Sequence, residues 1–217
     1  MLRFITSIGL VTAIFLCLFS SEVSAQKGQL RDSLVQDFRA GTLIIRLKTH
    51  QNKLNSIESV LQRADTSPKH RNRLMEKRDQ IIANRDRFNQ DLVTAFSQLY
   101  SFSEVRFMFD KDVKRFKAGA LDGVFLGTDL MPLAESKPVE GSYYFFGEGN
   151  TQMPGNSREG ILVMDKNGDQ LPGWFPNYFR AKSNGRSFFA MFGGDRYPYM
   201  PAEKVVKKFM KGLGVLR

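Results

Sequence analysis

One stretch of the chain, residues 51–100, constrains the fold more than any other. Apolar side chains recur in it at helical spacing on both sides of a polar break at residues 64–68, which ends in a Ser-Pro pair typical of a helix start. After the break, a seven-residue register of apolar side chains runs from Leu74 to Leu99, and their density rises toward Leu99. The stretch predicts two helices folded into an antiparallel hairpin, docked at its base and exposed at its turn.

The turn end of this predicted hairpin is basic. Residues 63–87 contain eight Lys or Arg against four Asp or Glu. A positive surface of this kind attracts acidic partners, so we take four of its cations as candidate binding residues: Arg71, Arg73, Lys77 and Arg78. The alternative is a solvated helix face whose charges pair within the helix.

The first 25 residues have the layout of a secretory signal peptide. Arg3 precedes an apolar run from Phe4 to Phe19, and Val23-Ser24-Ala25 ends in small residues suited to cleavage. The run is shorter than the roughly 20 residues that a membrane-spanning helix needs. We therefore expect cleavage before Gln26, export to the periplasm or the extracellular space, and no transmembrane helix afterwards.

Cleavage would also remove the single cysteine, Cys17. One residue of each charge sign leaves with it, so the net charge stays at +10. A chain without thiols has no disulfide, thiol nucleophile or cysteine metal site. His50 and His70 lack the context of a catalytic site, and the HExxH and GxSxG motifs are absent. We expect a protein without catalytic residues, metal or cofactor. Its expected partner is an acidic protein, glycan or lipid surface rather than nucleic acid.

The sequence divides into four parts: the signal peptide over 1–25, an arm or short helix over 26–41, a strand plus the basic hairpin over 42–100, and a mixed α/β domain over 101–217. In residues 42–49 the side chains alternate as in a strand, Leu43, Ile45 and Leu47 with Ile44, Arg46 and Lys48. The run is also rich in β-branched side chains, so we predict a strand, with Thr49 or Asn52 capping the helix that follows. The alternative is a helix, because Leu47 also begins a seven-residue repeat.

The C-terminal half changes to the period of strands. Residues 104–109 predict a strand, 110–118 a short helix, and 201–213 an amphipathic helix that covers a sheet. Three more apolar runs predict strands: 124–126, 143–146 and 161–164. Residues 147–160, rich in glycine, predict a mobile loop.

Two segments of this half raise the question of a ligand. Residues 165–169 carry oxygen ligands, but the spacing of the glycine departs from a calcium loop, so Asn167-Gly168 predicts a hairpin turn instead. Residues 173–201 interleave aromatic and basic side chains. Most of the aromatic residues are expected in the core, and three residues are candidates for binding a flat ligand or a sugar: Trp174, Tyr178 and Arg180.

Residues 160–172, with the helix at 203–213, resemble the last strand pair and final helix of exported thioredoxin-like proteins. Residues 105–109 and the helix after Asp110 are similar to an early strand and helix of that fold. The resemblance implies a thioredoxin-like sheet, but without cysteine it implies no thiol chemistry. In layout, the chain also resembles Skp-like periplasmic holdases. Residues 41–49 resemble the start of other exported proteins, which implies nothing about function.

Together these patterns predict an α+β protein in which an antiparallel helical hairpin is inserted in, or precedes, a small mixed-sheet α/β domain. The leading hypothesis is an exported, non-catalytic binding or scaffold protein of the cell envelope. The alternatives are a holdase chaperone and a cysteine-free thioredoxin-like protein.

Overall fold

A mixed β-sheet lies at the centre of the protein. The structure is a computed structural model that describes residues 29–63, 65–151, 157–180 and 199–215. In these ranges the sheet has six strands: β1 (Thr42–Leu47), β2 (Glu104–Phe109), β3 (Phe125–Leu126), β4 (Tyr143–Asn150), β5 (Glu159–Met164) and β6 (Tyr178–Phe179). Their order across the sheet is β3-β2-β1-β4-β5-β6.

Strand β1 is central and pairs in parallel with both of its neighbours. Ile45 lies opposite Phe107 of β2 on one side and Phe146 of β4 on the other. The outer pairs, β2 with β3, β4 with β5 and β5 with β6, are antiparallel. Because β1 is covered on both faces, almost all of its residues are buried, as expected of a central parallel strand. The prediction of a strand for this segment, rather than a helix, is confirmed.

Five α-helices accompany the sheet in the described residues: α1 (29–40), α2 (Gln51–Leu61), α3 (Pro68–Leu99), α4 (Val113–Lys117) and α5 (Ala202–Gly212). The mixed α+β class is thus confirmed. None of the helices in the described part of the chain has both the length and the apolar character needed to cross a bilayer.

The larger core lies between one face of the sheet and helices α1, α3 and α5. Leu43, Ile45 and Leu47 point from β1 into this core. Phe209 of α5 is fully buried in it, as the apolar stripe of the 201–213 segment predicts. Phe38 brings α1 into the same core, where its ring and that of Phe209 meet edge to face with centroids 6.0 Å apart. The expectation that the final helix covers the sheet is therefore confirmed.

A smaller core covers the opposite face of the sheet. Ile44 of β1 and Phe145 of β4 pack there with Phe116 of α4. A 3₁₀ turn over Asp110–Asp112 leads from β2 directly into α4, so the predicted short helix is confirmed. The guanidinium of Arg46 lies over the Phe145 ring on this face, 5.7 Å from its centroid.

One prediction about the second half needs correction. The glycine-rich segment 147–160 is not a loop throughout, because residues 147–150 belong to β4 and 159–160 to β5. At Gly147 the backbone of β4 lies close to β1. A Cβ at this position would be only 2.8 Å from the Cβ of Arg46, so only glycine fits there without a shift. Residues 152–156 of this segment lie outside the described residues.

The Asn167-Gly168 turn forms, but its return arm is short. Gly168 has the positive φ of 98° that the turn requires, and Oδ1 of Asp165 accepts the N–H groups of residues 167, 168 and 169 at 2.9 to 3.0 Å. Beyond it, the ladder is a single bridge between Met164 and Gln170. The carboxylate of Asp165 therefore serves to close the turn.

Candidate functional site

The helix α3 has two halves with different surroundings. All six of its buried residues lie between Phe88 and Phe96, where it packs on the sheet and on α5. Every residue from 68 to 87 is exposed or half-buried. Ser67 caps the exposed half by accepting the N–H of His70, and Pro68 occupies the first turn, as the sequence predicts. At 1.5 Å per residue this exposed half is about 30 Å long.

The exposed half of α3 contacts α2, and two of the predicted binding residues are used in that contact. Arg78 forms an ion pair with Glu58 of α2, with Nη1 and Oε1 3.1 Å apart, and a second one with Asp79 at 3.0 Å. Arg71 donates to the carbonyl oxygen of Arg63 at 3.3 Å. The guanidinium groups of Arg71 and Arg78 therefore help to hold α3 against the segment that precedes it.

Three other cations of this half are free within the described ranges. Lys69, Arg73 and Lys77 are exposed and have no hydrogen-bond or ion-pair partner there. Arg73 and Lys77 line one shallow concave surface of about 700 Å³, together with His70 and Glu76. We call Lys69, Arg73 and Lys77 the basic face of α3. Of the four α3 residues predicted from sequence, the structure leaves Arg73 and Lys77 available.

The other predicted binding residues lie elsewhere, at β6 and the turn before it. Trp174 is 44% exposed and lines a small pocket of about 180 Å³ with Arg31 and Lys211. Tyr178 is half-buried, and its hydroxyl donates to the carbonyl oxygen of Glu159 at 3.4 Å, while Arg180 is exposed. These residues sit at a sheet edge, apart from the α3 cations in the fold. Residues 181–198 of the aromatic segment lie outside the described residues.

A second basic surface arises where the two parallel strands β1 and β2 end. Leu47 and Phe109 are register partners, so the residues that follow them emerge at the same edge of the sheet. They enclose an open cleft of about 560 Å³ between the start of α2 and the start of α4. Nine described residues line this cleft: Lys48, Thr49, His50, Gln51, Asn52, Lys53, Asp110, Lys111 and Lys114.

Asp110 is held in place by the end of β1. Its Oδ1 accepts the backbone N–H of Thr49 at 3.0 Å and the Thr49 hydroxyl at 2.6 Å, and Oδ2 lies 3.8 Å from Nζ of Lys48. The expectation that Thr49 or Asn52 caps α2 is therefore wrong. The Thr49 hydroxyl donates to Asp110 and does not cap the helix. Asp110 is 61 positions later in the sequence, and the parallel pairing of β1 with β2 brings it close.

His50 takes the N-cap position of α2 instead, in a conformation unusual for a side chain other than glycine. Its φ of 53° places it in the left-handed region, and its side chain makes no capping hydrogen bond. Nε2 lies 3.1 Å from the hydroxyl oxygen of Tyr199, whose ring stacks on Phe88 of α3 at 4.2 Å. The imidazole thus ties the end of β1 to the segment before α5.

Both partners of this hydrogen bond favour their neutral forms. Burial lowers the pKa of His50 below its ordinary value of 6.5, and the positive charges of Lys53, Lys48 and Arg85 lower it further against the opposing effect of Asp110. Burial also raises the pKa of the Tyr199 hydroxyl, with the negative charge of Glu148 adding to the effect. At neutral pH the contact is therefore a hydrogen bond between two uncharged groups.

The backbone of the β1–α2 junction is fixed from the side by α3. The side-chain amide of Asn89, itself buried, donates to the carbonyl oxygen of Lys48 at 2.9 Å, and Nη1 of Arg85 donates to that of Thr49 at 3.0 Å. These two contacts set the direction in which the chain leaves β1. The backbone at the floor of the cleft is thus hydrogen-bonded to α3 at two consecutive residues.

Sequence reasoning missed the cleft because its residues come from two segments about 60 positions apart. Lysines follow both strands in the sequence, at Lys48 and at Lys111 with Lys114. That signal becomes meaningful only once β1 and β2 are known to be parallel neighbours. Among the described residues, no group of three or more His, Cys, Asp and Glu side chains is placed to hold a metal ion.

Comparisons with known proteins supply no assignment for either surface. No family model matches the chain, and no curated protein and no solved structure matches it.

Proposed function

We propose that this protein is an exported, non-catalytic binding or scaffold protein of the cell envelope, and that the hairpin of α2 and the first half of α3 docks on an acidic partner. One observation carries the proposal. A helical segment about 30 Å long, residues 68–87, buries none of its side chains in the core yet presents the basic face of α3, whose cations have no partner among the described residues.

The small gain in stability from this segment supports a binding role, because packing alone does not explain its length. In the described part of the chain residues 68–87 have no fully buried side chain, so this segment gains little from apolar burial, whereas most helical stability in proteins comes from packing. The net charge of +10 adds attraction for anionic surfaces, whether these are acidic proteins, acidic glycans or anionic lipid headgroups. The expected mode is electrostatic docking with rapid association.

Export rests on the sequence of residues 1–25, which lie outside the described residues. Mass spectrometry of the native protein from an envelope fraction should find a chain that starts at Gln26. A retained Met1 would contradict cleavage before Gln26, and absence of the protein from the envelope fraction would remove the envelope from this proposal.

The binding proposal is tested with a neutralised variant of the basic face: Lys69→Gln, Arg73→Gln and Lys77→Gln together. The matched control removes three exposed lysines from α5, with Lys204→Gln, Lys208→Gln and Lys211→Gln. Both changes subtract the same charge from the same protein. The probes are poly-glutamate, heparin, and phosphatidylcholine vesicles with phosphatidylglycerol.

Binding of the wild type to at least one of these probes should weaken steeply as salt is raised, since the Debye length shortens from about 10 Å at 0.1 M to about 3 Å at 1 M. The α3 variant should lose that binding and the α5 control should keep it. Binding that does not weaken as salt is raised, or an equal loss of binding in both variants, would contradict docking through the basic face.

A further inference from the structure

We propose that the cleft at the ends of β1 and β2 is a binding site for a small phosphorylated ligand that carries two or more negative charges. The cleft and its charges are the basis of this inference. Four of the nine described lining residues are lysines, Lys48, Lys53, Lys111 and Lys114, and Asp110 is the one carboxylate among them. This site is separate from the basic face of α3 and does not depend on it.

The single carboxylate does not neutralise the cleft. Oδ1 of Asp110 is already occupied by two hydrogen bonds from Thr49, and its contact with Lys48 at 3.8 Å is at the outer limit of an ion pair. Lys53, Lys111 and Lys114 are exposed and make no ion pair with a described residue. The cleft thus keeps a formal charge of about three positive units, which repel one another until an anion binds.

Further positive potential comes from the strand and the helix behind the lining. Arg46 lies near the carboxyl end of β1, two residues before Lys48, and its buried Nε has no hydrogen-bond partner among the described residues. The helix α2 begins at the cleft with an N-cap that has no side-chain cap and with no acidic residue in its first turn. Its first backbone N–H groups, at Gln51 and Asn52, therefore add to the attraction for an anion at this edge.

The topology places the cleft where open sheets usually bind ligands. The cleft lies outside the carboxyl ends of β1 and β2, which are parallel neighbours in the sheet. Ligands of open sheets with parallel strands commonly bind outside the carboxyl ends of the strands. A volume of about 560 Å³ is within the range of small-molecule sites.

The cations of the cleft are compatible with a phosphate group. Among the described lining residues these cations are four lysines and no arginine. Lysines act as point charges that suit the several oxygens of a phosphate group, and backbone N–H groups at a helix start complement them. The His50 backbone, held at φ 53°, is a local strain of the kind that clusters at ligand sites.

The binding test uses the full exported chain and isothermal titration with pyrophosphate and glycerol phosphate at fixed ionic strength. Citrate is the control for a polyanion without phosphate. The variant is Lys111→Gln with Lys114→Gln, which changes two exposed side chains, and the matched control is Lys166→Gln with Lys208→Gln outside the cleft. We expect the cleft variant to bind pyrophosphate about ten-fold more weakly or worse, with the control unchanged.

A localised readout accompanies the affinities. Pyrophosphate should shift the backbone amide NMR signals of Gln51 and Asn52 at the start of α2. Vesicles containing phosphatidic acid separate the two sources of the ligand: binding of both probes through the cleft indicates a phosphate on a lipid, and binding of the soluble probes alone indicates a free metabolite.

Three results would overturn the proposal: no pyrophosphate binding by the wild type at millimolar concentration, equal weakening in both lysine variants, or citrate bound as tightly as pyrophosphate. The cleft and the basic face of α3 are also distinguishable from each other. By helical rise, Arg73 lies about 18 Å along α3 from Arg85, which bonds to the edge of the cleft. The α3 variant should therefore retain pyrophosphate binding, and the cleft variant should retain binding to the acidic probes.

Discussion

Replacing Phe209 by alanine should remove the centre of the larger core. Its side chain is fully buried on α5 and contacts rings that come from four other parts of the fold. Its ring centroid lies within 6.0 Å of four aromatic neighbours: Phe38, Tyr100, Phe146 and Phe179. The change therefore tests whether α1, α3, β4 and β6 are joined through one residue of the final helix.

The expected loss follows from burial and ring contacts. A fully buried Phe→Ala change costs about 3–5 kcal/mol, because transfer energy is lost and a cavity remains. Aromatic pairs add about 0.5–1.5 kcal/mol each beyond the area they bury, so the upper part of that range applies here. For a domain of this size, a loss of that magnitude lowers Tm by roughly 6–20 °C.

The assay is reversible urea unfolding followed by circular dichroism, with Lys208→Ala as the control. Lys208 is the exposed neighbour of Phe209 on the same helix, and its replacement should change the free energy of unfolding by no more than about 0.5 kcal/mol. A loss below about 1.5 kcal/mol for Phe209→Ala would falsify the placement of α5 over the sheet.

Two further predictions concern the junction between β1 and α2. Because burial lowers the pKa of His50, the unfolded chain binds more protons than the folded one below pH 6.5, so stability should be full above that pH and fall as the pH drops toward the lowered pKa. Urea midpoints at about pH 8 and about pH 5.5 measure this decline. It should be shallower in His50→Asn, because asparagine does not titrate and tolerates the left-handed backbone of this position. An equal decline in both proteins would contradict the prediction. Asn89→Ala should cost about 1–3 kcal/mol, because Asn89 is buried and its partly buried hydrogen bond to the carbonyl oxygen of Lys48 is lost. Hydrogen exchange of the β1 amides should become faster in this variant. The control Gln90→Ala removes an exposed hydrogen bond to Thr128 and should change neither the stability nor the exchange by much. Equal effects of the two substitutions would contradict the role of the Asn89 contact.

Much of the secondary structure could be predicted because its signals are local. The Ser67-Pro68 start of α3, the alternation in β1 and the apolar stripe of α5 each lie within one element, and each appears in the structure where the pattern places it. The glycine-rich segment 147–160 misled for the same reason. The local glycine content is typical of a loop. In the structure Gly147 belongs to a strand, and a glycine stands there because β4 lies close to β1 at that position.

The candidate sites divide in the same way. The basic character of α3 could be predicted from composition, yet the structure shows that Arg71 and Arg78 are used in contacts with the preceding segment, whereas Arg73 and Lys77 are not. The assignment of partner, compartment and thioredoxin likeness stays a prediction.

The sequence by itself determined the α+β class, the long helix with one apolar end, and the covering helix at 202–212, because periodicity and capping act over neighbouring residues. Only the tertiary structure decided that β1 is the central strand, that Thr49 forms hydrogen bonds with Asp110 and does not cap α2, and that four lysines line one cleft. Those outcomes depend on parallel pairing between segments about 60 residues apart. Such pairing is set by the packing of both sheet faces, and no local pattern encodes it.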